Sequence, residues 1–314
     1  MENLIFSLNA TMPIFFMMVL GYLFHQIGWI DDVFASKMNT FVFRAALPVM
    51  VFENLATVDF EKVWDVRFIF FCFAVTLISI SCVIALSFLW KEKSIQGEFI
   101  QASYRSSAAI LGLAFIQNIY GNSEMGPLMI IGSVPLYNIM AVVVLSVFKA
   151  EREGLDKHLL FKTLKGILTN PIIISIFLGM LWSALGLPWP VIFGKVVNNL
   201  GKTATPLGLM AMGATFDFKK ALSTGRYAAL AAFIKLVGFE LIFLPIAIRF
   251  GFREESLVAI FIMLGSATTV SCYVMARNMN HEGTLTSSVV MLTTLLSGFT
   301  LTVGLYILKS LQLI

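Results

Sequence analysis

Residues 37–60 read KMNTFVFRAALPVMVFENLATVDF, an apolar pattern of membrane-spanning length that carries Arg44 and Pro48, where an ordinary span carries neither. The pattern returns 158 positions later, at residues 195–218, as KVVNNLGKTATPLGLMAMGATFDF. Seven of the 24 aligned positions are identical: Lys37/Lys195, Ala46/Ala204, Pro48/Pro206, Ala56/Ala214, Thr57/Thr215, Asp59/Asp217 and Phe60/Phe218. A basic residue also recurs, Arg44 against Lys202. Unrelated sequences of this length would match at roughly one or two positions. The chain reads as a duplicated unit.

The rest of the chain has the same apolar character. Hydrophobic residues make up 58% of the 314 and charged residues 13%, and the mean hydropathy is +0.88. A soluble domain carries about 25% charged residues, so the expected class is an all-α membrane protein. Ten transmembrane helices are expected, near 4–27, 36–57, 66–90, 97–120, 126–149, 164–185, 192–215, 226–249, 255–277 and 285–309. The polar stretch 150–163, AEREGLDKHLLFKT, separates a first five-helix repeat (1–149) from a second (164–314). His158 within it reads as a solvated loop residue. Leu4 onward reads as the first span rather than a signal peptide, because no basic n-region or small-residue cleavage site precedes it.

An odd number of spans per repeat puts the second copy upside down relative to the first, the arrangement of alternating-access carriers. Twelve Lys and Arg, from Lys37 to Arg277, fall on the side of the 150–163 linker, and six fall on the other. The positive-inside rule then puts the linker in the cytoplasm and both termini outside the cytoplasmic membrane. The net charge of +4 is spread over short loops, which serves topology rather than nucleic-acid binding. Cys72, Cys82 and Cys272 lie in apolar runs with no CxxC and no His/Cys cluster, so no metal, disulfide or cofactor is implied. HExxH, GxSxG and GxxxxGK[ST] are absent, which argues against an enzyme and against an ATP-driven pump in this chain alone.

Polar residues inside spans carry the functional expectation. Six ionisable residues lie well inside: Arg44, Arg105, Lys202 and Lys235 are basic, and Glu53 and Glu240 are acidic. A surplus of two positive charges favours a carboxylate-bearing substrate. Pro48 and Pro206 each remove an N–H and kink or break their spans, and Asn39, Asn198 and Asn199 lie upstream of them. The fourth span holds Arg105, Ser106, Ser107 and Gly112, and the ninth holds Gly265, Ser266, Thr268, Thr269 and Ser271. Such small and hydroxyl residues suit close helix packing. They equally suit two unwound helices meeting at the midplane. Lys235 and Glu240, five apart on one helix, read as a structural pair with partners on other spans. Glu53 and Glu240 are the deep carboxylates at which proton or sodium coupling would reside.

These residues resemble the auxin efflux carrier family, whose bacterial members include malonate-type carriers. The likeness covers nearly the whole chain and is strongest at FVFRAALPVMVFENLA, GLAFIQNIYG, LTNPIIISIFLGMLWS, TATPLGLMAMGATF and VSCYVMARNMNHEG. It implies ten helices in two inverted repeats, split into a scaffold and a transport part, with the fourth and ninth helices broken and crossing at prolines. Here Ala114 and Ala267 stand where the family has those prolines, leaving Gly112 and the Ser/Thr cluster to permit a break. The resemblance also places Asn39, Tyr137 and Asn138 near the site and implies a homodimer. The expected function is secondary transport or facilitated export of a small organic anion, malonate-like or auxin-like. A ligand-binding membrane receptor or a channel are the alternatives.

Overall fold

A computed structural model of the chain describes residues 16–57, 65–89, 92–108, 112–120, 125–148 and 168–314, together with 13 and 165. The start of the expected first span, the 150–163 linker with His158, and several of the lysines used for orientation lie outside the described residues. Among the described residues there are helices and no strands.

In chain order the helices are α1 (16–26), α2 (Asp32–Phe41), α3 (Leu47–Ala56), α4 (Val66–Ser87), α5 (Gln96–Tyr104), α6 (Leu113–Tyr120), α7 (Met125–Val147) and α8 (Pro171–Ala184). They continue as α9 (Val191–Lys202), α10 (Ala204–Ala214), α11 (Phe218–Ser223), α12 (Gly225–Phe233), α13 (Phe239–Arg249), α14 (Glu254–Gly265), α15 (Ser271–Asn278) and α16 (Thr284–Ser310). Wide π turns join α2 to α3 (Val42–Ala46) and α12 to α13 (Ile234–Gly238).

Among the described residues, four helices are long and apolar enough to cross a membrane: Val66–Ser87, Met125–Val147, Gly225–Arg249 and Thr284–Ser310. They coincide with the expected third, fifth, eighth and tenth spans. Their outer faces carry residues such as Phe70 and Leu241, each 69% exposed, an apolar surface that suits lipid and would aggregate in water. Cys72 and Cys272 are buried as small apolar side chains, whereas Cys82 is exposed on that outer surface.

The expected second, fourth, seventh and ninth spans are interrupted. Pro48 has no N–H to donate one turn back, and its ring would strike the carbonyl of Arg44. The chain widens there, with Leu47 N–H reaching Val42 O five residues earlier. In the second copy α9 stops at Lys202, Thr203 N–H turns back to Leu200 O, and α10 restarts ahead of Pro206. Pro48 and Pro206, aligned in the sequence, each sit beside a local helix defect.

The helices fall into two packed groups. One joins α1–α3 to α8–α10; the other joins α4–α7 to α12–α16. Glycines let backbones touch in the first group. A Cβ on Gly213 would lie 1.9 Å from Met18 O, and one on Gly21 would lie 2.3 Å from Met210 O. A small separate core of Ile30, Ala35, Met38, Ala211 and Ala214 fills the space between α2 and α10.

The second group is tied at one end by Glu98, a carboxylate at the edge of the expected fourth span that no sequence motif marks. Helix α16 begins at Gly283, which has φ +75° and no side chain to cap the first turn. Glu98 on α5 caps it instead, accepting from Gly283 N (2.8 Å), Thr286 N (2.9 Å) and Thr286 Oγ1 (2.9 Å). A carboxylate at a helix N-terminus also meets the positive end of the helix dipole. Glu98→Ala is expected to lower stability by about 2–4 kcal/mol, and Glu98→Gln, which keeps one carbonyl acceptor, by less. Thermal unfolding of the detergent-purified variants checks the order; equal stability of all three proteins would remove the capping role.

Candidate functional site

Helix α5 stops at Tyr104 because Arg105 turns extended (φ −73°, ψ 137°), and α14 stops at Gly265 because Ser266 does the same (φ −69°, ψ 156°). Both stops lie inside apolar runs, where lipid offers no hydrogen bonds and freed backbone groups need protein partners. The two interruptions supply one another. Ser107 N–H donates to Ala267 O at 3.0 Å, and the Ser106 and Ser266 hydroxyls share a hydrogen at 2.5 Å. Thr268 donates its hydroxyl to Ala102 O (2.8 Å) and its N–H to Thr293 Oγ1 (3.0 Å). Gln101 Nε2 reaches Cys272 O at 2.9 Å. The fourth and ninth spans thus break without the family's prolines. Cross-span hydrogen bonds take over the role of a fixed ring. Gly112 closes the first break, donating its N–H to Ser107 O at 3.1 Å.

Beside these breaks lies a cavity of about 40 Å³, room for a water or two. Its wall takes Leu47, Met50, Val51 and Asn54 from α3, and Arg105, Ser106, Ser107, Val134, Tyr137, Asn138, Thr269 and Ser271 from the other helix group. The cavity therefore sits on the seam between the two groups. Among the described residues that line it, Arg105 is the one that carries a charge. The guanidinium is 2% exposed and donates to Asn138 Oδ1 (2.7 Å), Ser271 Oγ (2.8 Å) and the Met275 thioether (2.8 Å). Its Nε–H has no partner, and no carboxylate pairs with it, among the described residues. Asn138 is held for this task by its own amide, which donates to Val134 O at 2.9 Å.

A larger polar vestibule of about 450 Å³ opens along the same seam, lined by Asp32, Thr215, Asp217, Tyr273, Arg277, Glu282, Gly283, Thr284 and Ser287. Hydrogen bonds cross the seam near it. The Thr215 and Tyr273 hydroxyls bond to each other, and Asn278 Nδ2 donates to Asn39 O at 3.3 Å.

The expected site residues divide on this geometry. Arg105, Ser106, Ser107, Tyr137, Asn138, Thr269 and Ser271 converge on the cavity. Thr268 is buried and spends both its polar groups on tying the breaks together. Asn39 is buried on the seam outside the cavity, with its side-chain oxygen unpartnered among the described residues. Arg44 and Lys202, expected on the permeation path, are exposed and do not line the cavity. A long basic side chain near a helix defect keeps its charge in a polar surround by reaching outward. Of the residues expected to set breaks, Pro48 is buried behind the first π turn, Pro206 is exposed, and Gly265 ends α14.

The two deep carboxylates lie apart from the cavity. Glu53 Oε1 accepts from Asn198 Nδ2 at 2.8 Å, joining α3 to α9, so Asn198 is engaged there. Glu240 packs against Gly265, where a Cβ would lie 1.6 Å from its Oε1. The polar lining residue absent from the sequence-based expectations is Asn54. A signal for it exists: Leu47, Met50, Val51 and Asn54 are spaced i, i+3, i+4, i+7, one face of one helix. Neighbouring Glu53 points about 100° away from that face.

The family described as membrane transport protein, the auxin efflux carrier family, matches residues 6–305. The chain belongs to this family. A protein of Rhizobium meliloti (strain 1021) named "Putative malonate transporter" is 24% identical over 320 residues, covering 96% of each chain. One from Methanothermobacter thermautotrophicus named "Uncharacterized transporter" is 20% identical over 305 residues, covering 93% of this chain and 95% of the relative. Membership of a transport family over nearly the full length agrees with the apolar helices and with a polar cavity set on a seam.

Thr268→Val keeps the shape of that side chain and removes its hydroxyl bond across the breaks. It is expected to lower stability by about 1–2 kcal/mol, whereas Asn54→Ala, which only lines the cavity, is expected to change it by less than about 0.5 kcal/mol. Parallel thermal unfolding of the two variants separates the tie from the lining.

Proposed function

We propose that the protein is a secondary carrier or facilitated exporter of a small organic anion bearing a carboxylate, with Arg105 as the anchor for the negative charge. The observation that carries the reading is the state of Arg105. A buried charge without a counter-charge costs several kcal/mol, and this one lines a cavity while its buried Nε–H has no partner among the described residues. A carboxylate there would offset that cost and accept from the guanidinium in its preferred geometry. Ser106, Ser107, Tyr137, Asn138, Thr269 and Ser271 line the same cavity with polar groups, Asn138 through the Oδ1 that accepts from Arg105. The start of α15 at Ser271 adds the positive end of a helix dipole. The malonate named for the Rhizobium relative makes a small dicarboxylate the first cargo to try.

On this reading residues 1–149 and 164–314 are two inverted five-helix repeats joined by a cytoplasmic linker, with both termini outside. The α1–α3/α8–α10 group is the scaffold and the other group the moving part. The paired proline defects and the paired breaks support the repeat. Location of both cavities on the seam supports alternating access, since a midplane site between halves is opened by rocking one against the other. Movement has to break the Thr215–Tyr273 and Asn39–Asn278 bonds while leaving the contacts inside each group intact. At about 40 Å³ the cavity is contracted, so cargo enters a more open arrangement than this one.

A thermal-shift screen against malonate, aromatic acids of auxin type and their neutral amides tests the anchor, because a ligand of the native state raises apparent stability. One class of acid is expected to stabilise the wild type. Arg105→Gln is expected to weaken that binding roughly 10- to 100-fold, while Arg44→Gln and Lys202→Gln leave it within about two-fold. Stabilisation by neutral or cationic compounds only would refute the anion reading. Flux through proteoliposomes then separates a carrier from a receptor, and saturable counterflow separates it from a channel.

A further inference from the structure

Lys235 is 0% exposed and sits in the middle of the expected eighth span, where a charge is most expensive. The cavity lining does not include it, and the substrate reading makes no use of it. Its ammonium donates to Leu264 O, in the last turn of α14. That turn is the carbonyl end of a helix stopping inside the membrane, where unpaired C=O groups gather the negative end of the helix dipole. Glu240 reaches the same helix end, with its carboxylate packed under Gly265 and Oε1 buried without a hydrogen-bond partner among the described residues. No direct Lys235–Glu240 ion pair occurs among the described residues; both groups address the end of α14 separately. Among the described residues, Cys272 is the other titratable group close to Lys235.

The π turn at Ile234–Gly238 makes this possible. In a regular helix five residues advance about 500°, which leaves positions 235 and 240 about 140° apart. A π turn closes from i to i+5, so Lys235 and Glu240 come to the same face. The turn's hydrogen bond, Phe239 N–H to Ile234 O, lies between them.

A half-helix carbonyl end and a carboxylate, buried at a mid-membrane break, form the oxygen set that holds a sodium ion in carriers with broken helices. Here an ammonium already lies there. We propose that Lys235 is a tethered cation standing in the place of a coupling ion, so that this chain needs no sodium and removal of the ammonium creates a site for one. The proposal deepens the carrier reading and rests on it, since only a carrier has a coupling ion to replace. Glu240, expected from the sequence as a sodium site, becomes in the wild type the counter-charge of Lys235.

The test reads cation binding by stability, so failure of transport itself cannot be mistaken for failure of this proposal. Purified wild type, Lys235→Met and the double variant Lys235→Met/Glu240→Gln are unfolded thermally in sodium, potassium or choline chloride at equal ionic strength. Wild type is expected to unfold at one temperature in all three salts. Lys235→Met, left with an uncompensated carboxylate, is expected to gain a few degrees saturably in sodium at about ten times its Kd, and not in choline. The double variant is expected to lose that response. A sodium-specific rise in the wild type overturns the proposal. So does Lys235→Met that gains nothing from sodium, or fails to fold in any of the three salts while the double variant folds. If neither variant folds, proteoliposome flux by the wild type decides, since a sodium requirement there is incompatible with a built-in cation.

Discussion

Two helices stop where the membrane can offer them nothing. At Arg105 and at Ser266 the backbone turns extended inside apolar sequence, and every N–H and C=O released there needs a protein partner. The partners come from other spans: Ala267 for Ser107, Thr293 for Thr268, and Lys235 for Leu264. Satisfying one break therefore requires the other break, α16 and the turn between α12 and α13 to be in place. Much of the α4–α7/α12–α16 group is organised by this requirement.

The same break divides the ninth span into ends of opposite character. Its first half ends at Gly265 in carbonyls, and a buried lysine meets them. Its second half starts at Ser271, whose hydroxyl accepts from Arg105. Arg105 in turn faces a cavity whose far wall belongs to α3 in the other helix group. A cation thus balances the carbonyl end inside the protein, while a second cation on the seam has no resident counter-charge among the described residues. The asymmetry concentrates unspent binding capacity at one place, between the two helix groups.

Much of the site is legible in the residue pattern itself. Ser106, Ser107, Asn138, Thr269 and Ser271 stand out because a polar side chain in an apolar run is costly and has to be accounted for. The repeat singles out Pro48 and Pro206, and both sit beside helix defects. It also pairs Arg44 with Lys202, and both are exposed outside the cavity lining. Matching positions in a duplicated sequence share backbone geometry, but a long side chain with several rotamers turns outward when its surroundings allow. Glu53 is conspicuous by its charge, yet the neighbour on the cavity face is Asn54. Glu98 is inconspicuous in the sequence because its cost is met by three donors from a helix 185 or more residues away.

Composition and periodicity by themselves determined the class and the set of residues that had to be explained, because burial in hydrocarbon restricts which side chains a span can hold. Tertiary structure alone decided which of them meet. The family's prolines are missing, and what breaks the fourth and ninth spans is a set of hydrogen bonds between residues about 160 positions apart, such as Ser106 and Ser266. No local propensity encodes them. Lys235 and Glu240 make the point most sharply. On the regular helix that their spacing suggests they would face different neighbours, and one π turn brings them to the same helix end.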